Sequence, residues 1–345
     1  MKKAFTSFLL LLQYYIISSS AMTQFNIFTD QLALLSLKSK IISDPFHFLD
    51  ESWSPATSVC HWVGVTCGSR HQRVKSLNLS NMALTDRIPQ DLGNLSFLAS
   101  LDLGSNNFHG NLPQEMACLR RIKFPDLSFN NFRGEVPSSF GFLHELQFLS
   151  LKNNSFTGPL PSSFFNISKL EMLNLAFNSV EGHIPVSLSN ASRLERLELS
   201  GNLLQGNIPS EIGNLHNLNW LAIQYNQLTG CIPLTVFNIS RIEVISFTGN
   251  SLSGSLPSGL CNGLRNLKGL YLSINKFHGH IPTSLSNCSQ LQLLGLSENE
   301  FDGPIHSEIG RLSYLQQLYL GTNHFTGIIP YKIGNLVNLM ELWMK

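Results

Sequence analysis

The chain has 345 residues, 43% of them hydrophobic, and its 23 Lys+Arg nearly cancel its 22 Asp+Glu. Without Lys2 and Lys3, which sit in an expected leader, 21 basic residues face 22 acidic ones, a net −1. That balance excludes the strongly basic face of a nucleic-acid binder, and the length alone would allow two globular domains.

Taken in chain order, residues 1–21 read as a secretory signal peptide. Lys2 and Lys3 form a charged start, Phe8 to Ile17 a short apolar run, and Ser19-Ser20-Ala21 a small-residue cleavage site. No later stretch reaches the roughly 20 apolar residues that a membrane helix needs. The chain therefore reads as secreted, and its six cysteines suit an oxidising compartment. Residues 22–73 read as a cap. Thr29 and Asp30 are expected to start a helix, with Leu32, Leu35 and Ile42 on its apolar side, Lys38 and Lys40 at its end and Pro45 beyond. Trp53 and Trp62 should help this segment cover the first coil. Cys60 and Cys67, in C-H-W-V-G-V-T-C, can close a short loop there. Cys118, Cys231, Cys261 and Cys288 are scattered over different repeat positions and read as free small residues within their coils. No Cys/His spacing supports a metal site.

From residue 74 to 345 one unit recurs. An asparagine stands at positions 106, 130, 154, 178, 202, 226, 250, 275, 299 and 323, at nine consecutive intervals, eight of 24 residues and one of 25. The unit reads L-x-x-L-x-L-x-x-N-x-L-x-G-x-I-P, as in Leu194-Leu197-Leu199-Asn202-Leu204-Gly206-Ile208-Pro209. Such a period builds one elongated solenoid rather than separate globules. The L-x-L pairs predict short strands at about 76–79, 100–103 and onward every 24, with leucines inward and x positions outward. Stacked coils then make a parallel sheet. The amides of Asn106, Asn130, Asn154, Asn178, Asn202, Asn226, Asn250, Asn275, Asn299 and Asn323 should pair backbone groups of adjacent coils. In the first coil Met82 takes that slot. Pro125, in place of a strand leucine, removes one N–H from the ladder. The 25-residue interval puts one extra residue between Pro257 and Leu270, on the outer wall. Eleven complete coils precede a segment, Leu339 to Lys345, that begins a twelfth strand. Leu336, Leu339, Leu342 and Met344 are expected to lack a covering coil, and the 341–344 edge to fray or self-associate.

These letters resemble leucine-rich repeats, and the G-x-I-P half resembles the plant extracellular type. The closest resemblance is to the ectodomains of plant leucine-rich-repeat receptor kinases of the microbial-pattern-receptor subfamily. It is carried by T-D-Q-L-A-L-L-S-L-K-S-K, S-V-C-H-W-V-G-V-T-C, H-Q-R-V-K-S-L-N-L-S and G-N-L-S-F-L. The resemblance implies an α/β repeat fold, a curved solenoid with a parallel concave sheet and an N-terminal helical cap closed by a Cys60–Cys67 disulfide. It also implies that such a chain continues into a membrane span and a kinase, so that this sequence is a truncated part. It implies partners, too: a peptide, elicitor or protein ligand, and a leucine-rich-repeat co-receptor.

No catalytic constellation emerges. H-E-x-x-H, G-x-S-x-G, a P-loop and G-x-G-x-x-G are all lacking, and no cofactor is expected. His109, His183, His280 and His306 occupy variable outward positions and read as solvated, as does the basic run Arg120, Arg121, Lys123. Binding is the function the shape supports. Side chains six, four and two residues before each ladder asparagine should project onto the concave face. They are Phe124, Asp126 and Ser128; Phe148, Ser150 and Lys152; Met172, Asn174 and Ala176; Arg196, Glu198 and Ser200; Trp220, Ala222 and Gln224; then Val244, Ser246 and Thr248, with Tyr271 and Tyr319 further on. Phe129, Phe177 and Tyr225 stand one before the asparagine. Exposed aromatic anchors among mixed polar neighbours suit recognition. Seven N-x-S/T sequons, at Asn78, Asn94, Asn153, Asn166, Asn190, Asn238 and Asn287, are candidate glycosylation sites in a secreted chain. The alternative function is a stand-alone secreted inhibitor of a wall-degrading enzyme, or a non-functional fragment of a receptor gene.

Overall fold

The computed structural model describes residues 26–345, so the expected leader at 1–21 lies outside the described residues. Helix α1 spans Ile27–Lys40. It starts earlier than Thr29 because Asn26 is the better N-cap. The Asn26 side chain accepts from the Phe28 and Thr29 amides at 2.9 and 3.2 Å, and Thr29 Oγ1 accepts from the Asn26 amide at 3.1 Å. The buried stripe is Asp30, Ala33, Leu34 and Leu37, whereas Leu32 is 49% and Ile42 78% exposed. The expected apolar stripe was misplaced because it passed over a charged residue. Asp30 faces inward, where it accepts Arg73 Nε at 2.8 Å, Arg73 Nη2 at 2.6 Å and the Val74 amide at 2.9 Å. Trp53 and Trp62 stack with centroids 5.3 Å apart beneath this helix, and Cys60–Cys67 closes the adjoining loop with an S–S distance of 2.01 Å.

The cap hands over to the repeats through a sheet. Strand β1 (Val65–Cys67) pairs antiparallel with β2 (Val74–Asn78), and the concave strands of the following coils add in parallel to a 13-stranded sheet. Pairing steps by one repeat without slippage, as in Leu173↔Leu197 and Leu197↔Leu221. The leucines point in because only one strand face is covered by the coil itself. At Pro125 the pairing to the next coil narrows to Asp126↔Ser150, the cost of a missing N–H. Short second strands, such as Leu203–Asn207, form two further parallel sheets of four and seven strands. Within the repeats the outer segments are 3-10 turns such as Gln90–Asn94 and Ser210–Asn214, entered from a proline held extended except at Ser307–Arg311, where His306 takes its place. Among the described residues, helical content of the α type is confined to the cap.

Two columns run through the stack. In one, each ladder asparagine binds across coils: Asn106 Nδ2 donates to the carbonyls of Leu79 and Leu103 at 2.8 and 3.0 Å, and its Oδ1 accepts from the Met82 and Leu84 amides at 3.1 and 3.0 Å. Losing one such side chain would leave several buried backbone groups unmet, at about 1–3 kcal/mol each. In the other, phenylalanines stack: Phe108 on Phe132 and Phe132 on Phe156, both with centroids 6.2 Å apart, and again Phe277 on Phe301 at 6.2 Å.

Two expectations are corrected on the outer and terminal sides. Cys261 and Cys288 are not free; they form a disulfide with an S–S distance of 2.03 Å across 27 residues. The extra residue of the 25-residue coil replaces the regular 3-10 turn by an irregular one over 258–263. Cys261 thereby meets Cys288, which fills the buried slot that Leu215 and Ile239 hold in other coils. Cys118 and Cys231 are free and exposed. Leu336, expected to lack cover, is only 5% exposed, because its own coil closes over it. Leu339 and Met344 are half-buried, while Leu342 and Trp343 are exposed. Among the described residues no helix is long and apolar enough to cross a membrane.

Candidate ligand-binding face

The concave surface is built from residues that the strand period turns away from the leucine core. The outermost row, six before each asparagine, carries Phe124, Phe148, Met172, Arg196 and Trp220. Phe124 and Phe148 meet at 5.4 Å between centroids with a 34° tilt. The row two before the asparagine does not project as expected. Ser128, Ala176 and Ser200 are buried and only Lys152, Gln224 and Thr248 emerge, because short side chains in a closing trough are covered by their taller neighbours. Ala222 and Val244 are likewise buried. Asp126 spends one carboxylate oxygen on the Ser128 amide at 2.9 Å, a local turn bond that Asp102 and Asn174 repeat in their own coils.

Three groups come together. Lys152 Nζ lies between two aromatic rings, 5.4 Å from the Phe129 centroid and 5.7 Å from that of Phe177. Arg196 stacks over Trp220 at 4.1 Å while its Nη2 donates to Glu198 Oε1 at 3.0 Å. Burial pushes the Glu198 carboxyl above its ordinary value, and its bond to Arg196 only partly offsets this. The Trp220 indole N–H also favours the charged form of Glu198, yet it is buried with no acceptor in hydrogen-bonding geometry. Further along, burial raises the Tyr271 phenol, and a hydrogen bond to Glu341 lifts that of Tyr319 to about 12. The two tyrosines thus belong to a separate, later patch.

The third group was visible only as letters in the sequence. Phe129, Phe177 and Tyr225 have left-handed φ of 53°, 57° and 53° and are 45%, 47% and 53% exposed. The chain must turn sharply before each ladder asparagine; two coils use glycine there, Gly201 and Gly249, and the remaining coils hold Ser105, Asn153, Ile274, Glu298 and Thr322 in the same left-handed conformation. A Cβ on Gly201 would stand 2.7 Å from the Phe177 ring, and one on Gly249 2.5 Å from the Tyr225 ring. The glycines therefore let the preceding ring lie flat across the next coil.

The sequons fall on two sides. Asn94, Asn166, Asn190, Asn238 and Asn287 are exposed at equivalent 3-10 turns on one flank. Asn78 and Asn153 stand on the concave side, Asn153 directly between Lys152 and the ladder residue Asn154. Among the described residues no group of His, Cys, Asp and Glu is arranged to hold a metal ion.

The family profile "Leucine rich repeat N-terminal domain" matches residues 29–68, and "Leucine Rich Repeat" matches 73–95, 145–167, 169–191, 193–215, 266–288 and 314–336. The chain is 42% identical over 104 residues to the LRR receptor-like serine/threonine-protein kinase EFR of Arabidopsis thaliana, covering 30% of this chain and 10% of that protein. It is 43% identical over 83 residues to the receptor kinase-like protein Xa21 of Oryza sativa subsp. japonica, covering 22% of this chain and 8% of that one. The matched segments thus span a small fraction of these relatives' own length. Among solved structures, the Arabidopsis receptor kinase HAESA, in complex with the peptide hormone IDA and the co-receptor SERK1, superposes with a TM-score of 0.84 at 34% identity. That match covers 92% of this chain and 53% of HAESA. Cap, repeats and these likenesses together place the chain in the leucine-rich-repeat family, homologous to the ectodomains of plant receptor-like kinases.

Proposed function

We propose that this chain is a non-catalytic extracellular ligand-binding module that takes an extended peptide, as an elicitor or as part of a protein ligand, along the concave face of coils three to seven. A leucine-rich-repeat co-receptor would complete the complex, as the co-receptor does in the HAESA structure. The observation that carries the reading is the row Phe129, Phe177 and Tyr225. Every coil holds this position in the left-handed region, which costs a bulky side chain about 1–2 kcal/mol relative to glycine, and most coils place a small or polar residue or glycine there. Phe129, Phe177 and Tyr225 differ from the other coils in presenting large exposed rings, two of them beside Lys152, and such rings are suited to contact a ligand from outside. Phe124, Phe148, Arg196 and Trp220 extend the same face as anchors. We further propose residues 1–21 as leader, 22–73 as cap and 74–345 as repeats, with the apoplast as the compartment.

The test is a binding screen of the secreted chain against extracellular peptide pools, run beside a variant with Phe124, Phe148, Arg196, Trp220 and Tyr225 all replaced by alanine. A ligand that binds the parent and not the variant supports the assignment. Undiminished binding to the variant places the site elsewhere.

A further inference from the structure

A second site lies on the flank of the first three coils, where two repeat positions carry the same pattern. Seven residues before the asparagine slot the chain reads Lys75, Ala99, Lys123; nine before it, Arg73, Phe97, Arg121. In each row a cation on coil one and another on coil three flank an apolar residue on coil two. The small Ala99 leaves a gap between its taller neighbours, and the result is a cleft of about 420 Å³ that also reaches Arg70 and His71.

The cleft is preorganised. The Phe97 ring holds the Arg121 guanidinium at 3.9 Å and that of Arg73 at 4.7 Å from its centroid, and His71 meets its edge at 5.4 Å. Arg73 is fixed further by Asp30 and by Ser96 Oγ at 3.2 Å. Arg73, buried and bonded to Asp30, serves as the floor of the cleft; the exposed Arg121 guanidinium, held flat on the Phe97 ring, has less freedom to lose when it meets a carboxylate. The only carboxylate in the lining is Glu145 at the far rim, and Lys169 neutralises it at 2.6 Å. A second feature marks the same flank. Sequons occupy its outer turns at Asn94, Asn166 and Asn190, but the two coils between Asn94 and Asn166 carry Cys118 and Phe142 there, the widest gap between successive sequons of that row. Phe142 is 61% exposed.

From this arrangement we propose that the cleft binds an acidic polysaccharide, a polyuronate, laid along the solenoid axis across coils one to three. Charge complementarity selects an anion, and the spacing selects its form. Cations two coils apart stand about 10 Å apart, twice the strand spacing, whereas an acidic peptide in β conformation repeats its same-face side chains every 6–7 Å or so. A stiff sugar polymer with one carboxylate on every residue offers a charge near each cation without local rearrangement. This site is separate from the concave face and stands or falls independently of the peptide reading.

The experiment is titration of the full secreted protein with a de-esterified oligogalacturonate at low and at physiological salt. Binding should weaken steeply with salt and fall roughly tenfold or more when Arg121 and Lys123 are both replaced by glutamine. These two side chains are exposed or half-exposed, and the circular dichroism of the double variant should match the parent. Phe97→Leu, which keeps every charge but releases the Arg121 guanidinium plane, should weaken binding less than the double variant does. Alanine at Phe124 and Phe148 should leave it unchanged. A fully methyl-esterified oligomer should not bind. The proposal is overturned by no binding, by equal binding of parent and R121Q/K123Q, or by tighter binding of a polyglutamate peptide, which would reassign the cleft to acidic proteins.

Discussion

Two arginine–carboxylate pairs divide the molecule into the part that holds it together and the part that faces outward. Arg73 and Asp30 are 5% and 0% exposed at the side chain, joined by two hydrogen bonds, with a backbone amide taking up the carboxylate as well. Arg196 and Glu198 are joined by one bond of 3.0 Å, and the Arg196 side chain is 41% exposed. The first pair is sealed between α1 and the first coil, so neither partner can be lost without stranding a buried charge. The second lies open on the concave sheet, where the guanidinium rests on an indole and can exchange its carboxylate for another. Identical chemistry is structural in one place and available for binding in the other, and burial decides which.

The largest expected effect tests the sealed pair. Asp30→Ala should cost about 3–5 kcal/mol, since it leaves a buried guanidinium without its counter-charge. Denaturant titration that finds less than about 1 kcal/mol would show that the cap does not depend on it. Next comes the Cys261–Cys288 staple. Replacing both by serine should lower stability by about 3 kcal/mol from the closed loop alone, more than the shorter Cys60–Cys67 loop provides. Intact-mass mapping that finds both thiols free would remove that bond from the account.

On the open pair, Arg196→Ala should shift stability by less than about 0.5 kcal/mol while weakening a concave-face ligand by at least about 2 kcal/mol. A loss of the opposite kind, stability without affinity, would erase the contrast between the two pairs. A pH series sharpens it. The folded Glu198 carboxyl sits above its ordinary value, so the fold favours its proton, and stability attributable to this group falls as pH rises through that shifted value. Protonation also frees Arg196, the charge nearest it besides Lys152. Capture of an anionic ligand group there should therefore strengthen from neutral to mildly acidic pH, and Glu198→Gln should abolish the trend. At the left-handed row, Phe129→Gly should change stability by under about 0.5 kcal/mol, because relief of the left-handed φ offsets the lost ring contacts.

The repeat made most of the fold legible before any coordinates. Leucine pairs, ladder asparagines and the C-H-W-V-G-V-T-C loop each act through neighbours one repeat away, and a period is visible in letters. What stayed hidden were contacts with no period. Asp30 looked like a helix starter because its partner lies 43 residues downstream and is unique in the chain. Cys261 and Cys288 looked scattered because the inserted residue that aligns them also broke the count. On the concave face, position within the repeat gave the direction of each side chain but not its height. Lys152 and Ser128 share a row, yet only the longer one clears the trough. The pairing of Arg196 with Glu198 and Trp220 follows from alternation on one strand and its neighbour, and could have been read. The cleft of Arg121 and Lys123 could not, since the run looked solvated until the flanking coils were stacked on it.

The staple between Cys261 and Cys288 also sets how the solenoid would come apart. A stack whose coils touch only their neighbours unwinds from an end, one link at a time. Coils eight and nine are a single covalent link, so a peeling front advancing from the far end must break into both at once. Proteases working inward from the C-terminal side should accordingly stall near residues 261–288, and the coils that carry Phe129, Phe177 and Tyr225 lie behind that stop.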